Sequence, residues 1–248
     1  TTLFTSQYVR YARNYRQDVI LLHGTKLLFS DYQVSIKKLF PSLIIPSEGD
    51  FFHTFLLSNT KQNRVFSYAK YPLEDGWFWV PYGIINELIS KDNLPLTEAM
   101  VKENLDLWGT FHNPNGGILS RYRHLMLSDV ADVYTSARLE FGKVVFRSGD
   151  FAVAKKQFEE AISYGGESQL SEAYMYLGIS ESLLKECDQA LASLNKAKTI
   201  SFEIDPNITL YESRTYRDCL GDEKTAEKLL DIYNKAKEKK ETPLNPKS

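Results

Sequence analysis

The sequence predicts a small α/β domain with a short, parallel sheet, followed by an all-helical array of hairpins. The amino-acid composition changes along the chain. The first 150 residues contain nine of the 15 tyrosines and all three tryptophans, whereas the remainder is rich in Ala, Glu and Lys. The second part also repeats itself at a spacing of 36 residues. We therefore expect domains at 1–92 and 135–236, a helical linker or degenerate repeat at 93–134, and a solvated tail at 237–248.

Length, charge and hydropathy exclude some classes of protein. A chain of 248 residues can bury a sizeable core. Its 30 basic and 32 acidic residues are scattered, so no electrostatic footprint for nucleic acid exists. No run of about 18 apolar residues is present to span a bilayer. The chain starts at Thr1, without Met, directly in a helical pattern, so we expect it to be a piece of a longer protein.

Hydrophobic periodicity predicts the elements of the first domain. An amphipathic helix is expected over 2–15, and the apolar run at 18–23 is of strand type. A helix followed at once by a buried strand is typical of half a β-α-β unit, hence the parallel sheet. Further along, we expect two helices and then two strands, at 31–40, 50–58, 64–68 and 77–82.

The first 90 residues contain an ordered set of aromatic, charged and proline positions. The set is Tyr8, Tyr11, Arg16, Asp18, Val19, Asp31, Tyr32, Pro41, Pro46, Pro81, Tyr82 and Gly83. Their order resembles the soluble C-terminal region of polytopic membrane glycosyltransferases related to the protein O-mannosyltransferases. That family has Arg-Pro-Asp-Val where this chain has Arg16-Gln17-Asp18-Val19, and the family's acidic opening would precede residue 1.

The resemblance implies that the catalytic membrane helices and the lipid-phosphate sugar donor site lie outside this chain. The chain would then be a non-catalytic portion on the extracytoplasmic side, serving acceptor or partner binding and assembly. We expect no catalytic residue, cofactor or metal ligand in it, and upstream membrane helices as part of the assembly. Two other interpretations stay open: a free-standing repeat adaptor, and a soluble carbohydrate-active or carbohydrate-binding protein.

One strand combines carboxylates with aromatic rings. Alternation along Trp77, Phe78 and Trp79 places the two tryptophans on one face, just after Glu74 and Asp75. An open tryptophan face can stack on a sugar or anchor at a bilayer interface, whereas a packed one belongs to the core. Glu74, Asp75, Trp77 and Trp79 are therefore the candidate glycan or membrane-interface contacts.

Other local patterns predict no chemistry. The turn at 24–26 lacks the preceding glycine and the length of a phosphate-binding loop. The histidines are too widely separated for a local metal motif; they are His23, His53, His112 and His124. Cys187 and Cys219 are too few for a disulfide framework, so we expect buried thiols that fill small gaps, and whether they pair stays open.

The 36-residue spacing relates small, large and acidic positions. Gly142 recurs as Gly178, with Arg214 in place of a third glycine. The other equivalent sets are Ala154, Ala190 and Ala226; Phe158, Leu194 and Leu230; Ala161, Ala197 and Tyr233; and Asp150, Glu186 and Asp222. Small residues let paired helices approach closely, and large ones fill the space between hairpins. The pattern resembles a tetratricopeptide repeat, whose usual period is about 34 residues, and implies a superhelix.

The first helix of each repeat would line the concave face of that superhelix. By repeat position the face contains Leu139, Lys143, Phe146, Met175, Ile179, Tyr211, Thr215 and Asp218. Because this surface is mostly apolar, we expect it to be covered. Its partner is either the chain's own α/β domain or a neighbouring helix, or else a protein or peptide ligand.

Overall fold

The structure is a computed structural model that describes residues 16–47, 51–116, 125–201 and 205–241. The chain divides into two compact units: residues 1–80 with 87–93, and residues 81–86 with 94–248. The helix expected over 2–15 and the residues after 241 lie outside the described ranges. No helix in those ranges is both long and apolar enough to cross a bilayer.

Two short helices build the core of the first unit. Helix α1 spans Ser30–Leu39 and α2 spans Phe51–Asn59, which confirms the helices expected at 31–40 and 50–58. Leu27, Ile36 and Phe55 are buried together between them. The Asn59 amide accepts from the backbone N–H of Ile44 at 3.0 Å and donates to its carbonyl at 2.9 Å. This pair of bonds ties the loop between the helices to the end of α2.

The strand expected at 18–23 is wrong. This stretch is irregular and leads into a 3₁₀ helix, Gly24–Leu28. Arg16 adopts a left-handed backbone (φ 51°) and its guanidinium binds the Asp18 carboxylate at 2.7 Å. The backbone N–H of His23 donates to the Tyr32 hydroxyl at 3.1 Å. This N–H group is therefore not available for a hydrogen bond to a neighbouring strand.

The sheet of the described residues has three strands, β1 (Phe66–Ser67), β2 (Trp77–Tyr82) and β3 (Ile85–Ser90), in the order β1-β3-β2. It is antiparallel, so the expected parallel sheet is wrong. Only two residues connect β2 to β3, and a connection this short joins antiparallel strands, whereas a parallel pair needs a long crossover. Gly83 in this turn has φ +61°, a conformation that favours glycine.

Helix α3 (Thr97–Thr110) holds the tip of this hairpin within the second unit. The Asn104 side chain, 1% exposed, accepts from Gly83 N at 2.9 Å and donates to Pro81 O at 2.8 Å. A Cβ on Gly83 would lie 2.8 Å from the ring of Phe111. The turn is therefore fixed by a buried amide and by close packing.

Six further helices in the described part of the chain form consecutive hairpins. They are α4 (Leu125–Arg147), α5 (Phe151–Tyr164), α6 (Leu170–Leu183), α7 (Cys187–Ile200), α8 (Pro206–Thr215) and α9 (Glu223–Glu241), with a π-helical turn, Tyr216–Leu220, after α8. Each helix packs on the next, giving the hairpins α4-α5, α6-α7 and α8-α9. The Asp150 and Asp205 carboxylates accept backbone N–H groups at the starts of α5 and α8.

The 36-residue spacing has a counterpart in three dimensions. Ala154, Ala190 and Ala226 are at most 3% exposed, each on the second helix of its hairpin. A residue in the turn after the first helix has a left-handed backbone in all three hairpins, with φ values of 89°, 65° and 71° at Gly149, Lys185 and Gly221. The hairpins therefore share a buried alanine and a left-handed turn residue.

Candidate functional site

Most residues of the predicted partner-binding face lie inside the helical array. Leu139 is 0% exposed, and Met175 and Ile179 pack with Leu194 and Ile208 in a core between hairpins. Thr215 is also buried; its hydroxyl oxygen lies 2.9 Å from Tyr211 O. Of the eight positions, Phe146 and Tyr211 are half-buried and Asp218 is exposed. An external partner could reach these three side chains without rearrangement of the helices.

Lys143 of the same predicted face is engaged within the chain. Its ammonium group binds Glu140 at 2.8 Å and Glu172, on α6, at 2.5 Å, and lies 5.4 Å from the centre of the Tyr176 ring. Burial opposes the charge, but the hydrogen bonds to both glutamates raise the pKa of Lys143 above its ordinary value. Lys143 thus acts as a cationic bridge between the first and second hairpins.

Asp218 is the exposed member of the predicted face. Arg217 donates to its carboxylate at 2.8 Å and lowers the pKa of the carboxyl. The backbone carbonyl of Asp218 accepts from Lys185 Nζ at 2.7 Å. The turn that carries Asp218 is therefore bonded to the preceding hairpin.

The aromatic strand exposes the ring of Phe78 more than the rings of its two tryptophans. Trp77 and Trp79 are half-buried, and the Trp79 indole donates to Tyr71 O at 2.9 Å, whereas Phe78 is 42% exposed. Glu74 and Asp75 are exposed. The structure therefore places the two carboxylates in solvent and the two tryptophans partly in packing. Glycan or membrane-interface contact at these positions stays a prediction.

Glu74 also faces a histidine. Its backbone N–H donates to His53 Nε2 at 3.4 Å, and its carboxylate lies 3.5 Å from His53 Nδ1. Of the remaining histidines, His112 is exposed and His124 lies outside the described residues. Across the described ranges, no group of three or more His, Cys, Asp or Glu side chains is arranged to hold a metal ion.

The two cysteines form a disulfide, so the expected free thiols are wrong. Cys187, at the start of α7, is bonded to Cys219 in the π-helical turn before α9, with their Cα atoms 5.8 Å apart. The spacing of 32 residues is close to the repeat period, which brings the two turns together at one edge of the array. Two isolated cysteines carried no pairing signal, because pairing depends on that tertiary alignment.

Two ionisable clusters within the array were not predicted. One surrounds Lys155, which binds the Glu186 carboxylate across hairpins; this hydrogen bond raises the pKa of Lys155. Beside it, Glu181 is 5% exposed, and burial raises the pKa of its carboxyl despite a hydrogen bond from Ser193. The other cluster contains Arg138, 4% exposed, which pairs with Glu160 on α5.

The burial of Arg138 and Glu181 could have been predicted from their positions in the sequence. Each lies on the first helix of a hairpin, within one residue of a fully buried neighbour, Leu139 or Ser180. A charged residue inside such a packed stretch indicates a buried ion, although its partner cannot be predicted from the same helix.

No protein-family model, curated protein sequence or solved structure matches the chain.

Proposed function

We propose that the chain is a non-catalytic scaffold whose tetratricopeptide-like hairpins hold a protein partner, as the extracytoplasmic portion of a membrane glycosyltransferase. One observation carries the scaffold: the turns of all three hairpins share a left-handed residue, at positions 149, 185 and 221. A left-handed turn residue that recurs every 36 residues is expected of a stacked repeat, in which each hairpin buries its neighbour's face.

Because most of the predicted face is buried, fewer residues are available to contact a partner. Because Leu139, Met175 and Ile179 stabilise the contacts between hairpins, a partner must be held by exposed positions of the first helices and their turns. Asp218 is such a position, and Tyr211, seven residues earlier in the chain, is half-buried. We assign the partner contact to this edge of the array.

The disulfide supports the extracytoplasmic assignment. Disulfides persist in oxidising compartments and are rare in reducing ones. The bond between Cys187 and Cys219 joins the last two hairpins, so the array needs such a compartment to keep this connection. The glycosyltransferase assignment itself depends on the resemblance to that family in the first 90 residues. Among the residues that carry it, Asp31 and Tyr32 lie in the first turn of α1, and Pro81–Gly83 lie at the tip of the β2-β3 hairpin.

Site-specific crosslinking tests the scaffold. A photo-crosslinking residue is placed at Asp218 in the full-length protein, and a matched variant carries it at Lys196, which is exposed on the second helix of its hairpin. We expect one discrete crosslinked product from position 218 and none from position 196. Equal products from both positions, or none from 218, contradict the proposed partner edge.

The membrane context has a separate test. The reading frame upstream of Thr1 is expected to encode a series of apolar spans of about 20 residues each. Their absence would exclude the glycosyltransferase and leave a free-standing adaptor, which requires only the scaffold.

A further inference from the structure

A buried arginine lies on a tryptophan ring in the second unit. The guanidinium carbon of Arg138, on α4, is 4.5 Å from the centre of the Trp108 ring, on α3. Arg138 is 4% exposed and Trp108 is 5% exposed. The rings of Tyr134 and Tyr164 surround the tryptophan, with centroids 6.0 and 6.1 Å from it. The guanidinium therefore lies against an aromatic cluster that contains Trp108, Tyr134 and Tyr164.

The stack holds hydrogen-bond donors that the described part of the chain does not satisfy. Arg138 Nη2 binds the Glu160 carboxylate. Its Nε and Nη1 atoms, and Nε1 of Trp108, are buried and have no hydrogen-bond partner among the described residues. Buried donors in native proteins are almost always paired with protein groups, water or ions. Three unsatisfied donors in one cluster point to an acceptor outside the described part of the chain.

The charges of the cluster favour a negative acceptor. The Glu160 side chain is 38% exposed, so solvent screens its carboxylate while the guanidinium stays buried. Burial lowers the pKa of Arg138 despite the opposing effects of Glu160 and Tyr164. Burial also raises the pKa values of Tyr134 and Tyr164, so both hydroxyls stay protonated and add no negative charge. A further anion beside the guanidinium would lower the cost of burying its charge.

We propose that Arg138 and Trp108 form a buried site for a small monovalent anion, of the size of chloride or formate. The N–H bonds of guanidinium and indole lie in the planes of their groups, so an acceptor meets each of them at the rim of its group. An ion at both rims accepts from both side chains and balances the buried charge, which a neutral water does not. The site joins α3 to the first hairpin and is independent of the proposed partner binding.

Anion-dependent stability tests the site in the full chain. Unfolding is followed at constant ionic strength while chloride or formate replaces gluconate, which is too large for an enclosed site. At ten times the dissociation constant, bound anion lowers the unfolding equilibrium constant about elevenfold. We expect this response to disappear in Arg138→Met and to weaken in Trp108→Phe, which removes the indole N–H and keeps an aromatic ring.

Arg217→Met is the matched control, because it removes an arginine whose side chain is 46% exposed and paired with Asp218. It should keep the parent's response. Bromide in crystals of the parent chain should give an anomalous peak within hydrogen-bond distance of Arg138 and Trp108. A response that is equal in parent, Trp108→Phe and Arg217→Met, or water alone at the site, overturns the proposal. If Arg138→Met does not fold, Trp108→Phe and the bromide measurement decide.

Discussion

Gly142 lies against the ring of Phe158: a Cβ on residue 142 would come within 2.5 Å of Phe158 Cε1. The next hairpin has the same relationship, since a Cβ on Gly178 would lie 2.8 Å from Leu194 Cγ. In both hairpins the glycine on the first helix makes room for the large residue 16 positions later. In the third hairpin the equivalent residues are both exposed to solvent, Arg214 and, at 37%, Leu230, so this pair does not repeat the close contact.

Gly142→Ala is expected to destabilise the chain by about 1–3 kcal/mol, the usual cost of overpacking a close-packed core. The added methyl group meets the Phe158 ring and the Gln157 side chain, neither of which is free to move in a buried contact. Urea unfolding followed by circular dichroism measures the change. Adding Phe158→Leu to Gly142→Ala should recover part of the loss.

Gly109→Ala is the matched control for this prediction. Gly109 lies on α3, and no atom of the described residues is within 4 Å of the position that a Cβ would occupy, so alanine adds helix propensity without a clash. We expect a gain of about 0.5–1 kcal/mol. A similar loss in both variants would show that steric contact with Phe158 is not the cause.

Lys185→Gly should stabilise the second hairpin. Lys185 has φ 65°, a left-handed conformation that costs a residue with a Cβ about 1 kcal/mol, and the equivalent residues in the other hairpins are glycines. The loss of the Nζ bond to Asp218 O offsets part of the gain. The reverse exchange, Gly149→Ala, should destabilise by about 1 kcal/mol. Thermal unfolding of the two variants must shift in opposite directions.

Removal of the disulfide should weaken the joint between the last two hairpins. The bond closes a loop with a sequence separation of 32 residues, for which chain entropy predicts a loss of about 3–4 kcal/mol on reduction. Denaturant unfolding of the parent is compared with and without reductant. The Cys187→Ser, Cys219→Ser double variant should match the reduced parent and show no response to reductant; a parent that is equally stable in both states contradicts the prediction.

Glu181 should make stability fall as pH rises. Burial raises the pKa of its carboxyl in the folded state above the value of about 4.3 of an unfolded glutamate. Between these two values the folded chain binds more protons, so the free energy of unfolding decreases as pH increases through that window. The surrounding charges are Lys155, Glu186 and Glu159.

Glu181→Gln should therefore remove this part of the pH dependence and be more stable than the parent at about pH 8. Unfolding free energies of parent and variant are measured from about pH 5 to about pH 8 and subtracted at each pH. Glu159→Gln is the control, because Glu159 is 51% exposed beside the same lysine. The same change of slope in both variants would assign the effect to the surface charge of the cluster.

Helix positions could be predicted well, because a helix depends on groups a few residues apart. The helices at α1 and α2 follow from local apolar periodicity, and the equivalence of Ala154, Ala190 and Ala226 follows from spacing alone. The sheet direction was predicted wrongly because the run at 18–23 has the composition of a strand. Its backbone donor at His23 is taken by Tyr32, a contact that no periodicity reveals.

The repeated hairpins follow from the amino-acid pattern alone, since small residues at fixed spacing are needed wherever two helices approach closely. The surroundings of the first helices, in contrast, depend on how the hairpins pack against one another. Met175 and Ile179 were predicted to line an apolar groove on the concave face. In the structure they are buried against the next hairpin. Arg138 against Trp108, Lys155 against Glu186 and Cys187 against Cys219 each join residues about 30 positions apart. Such pairs depend on how hairpins stack, and stacking is a property of distant surfaces rather than of local sequence.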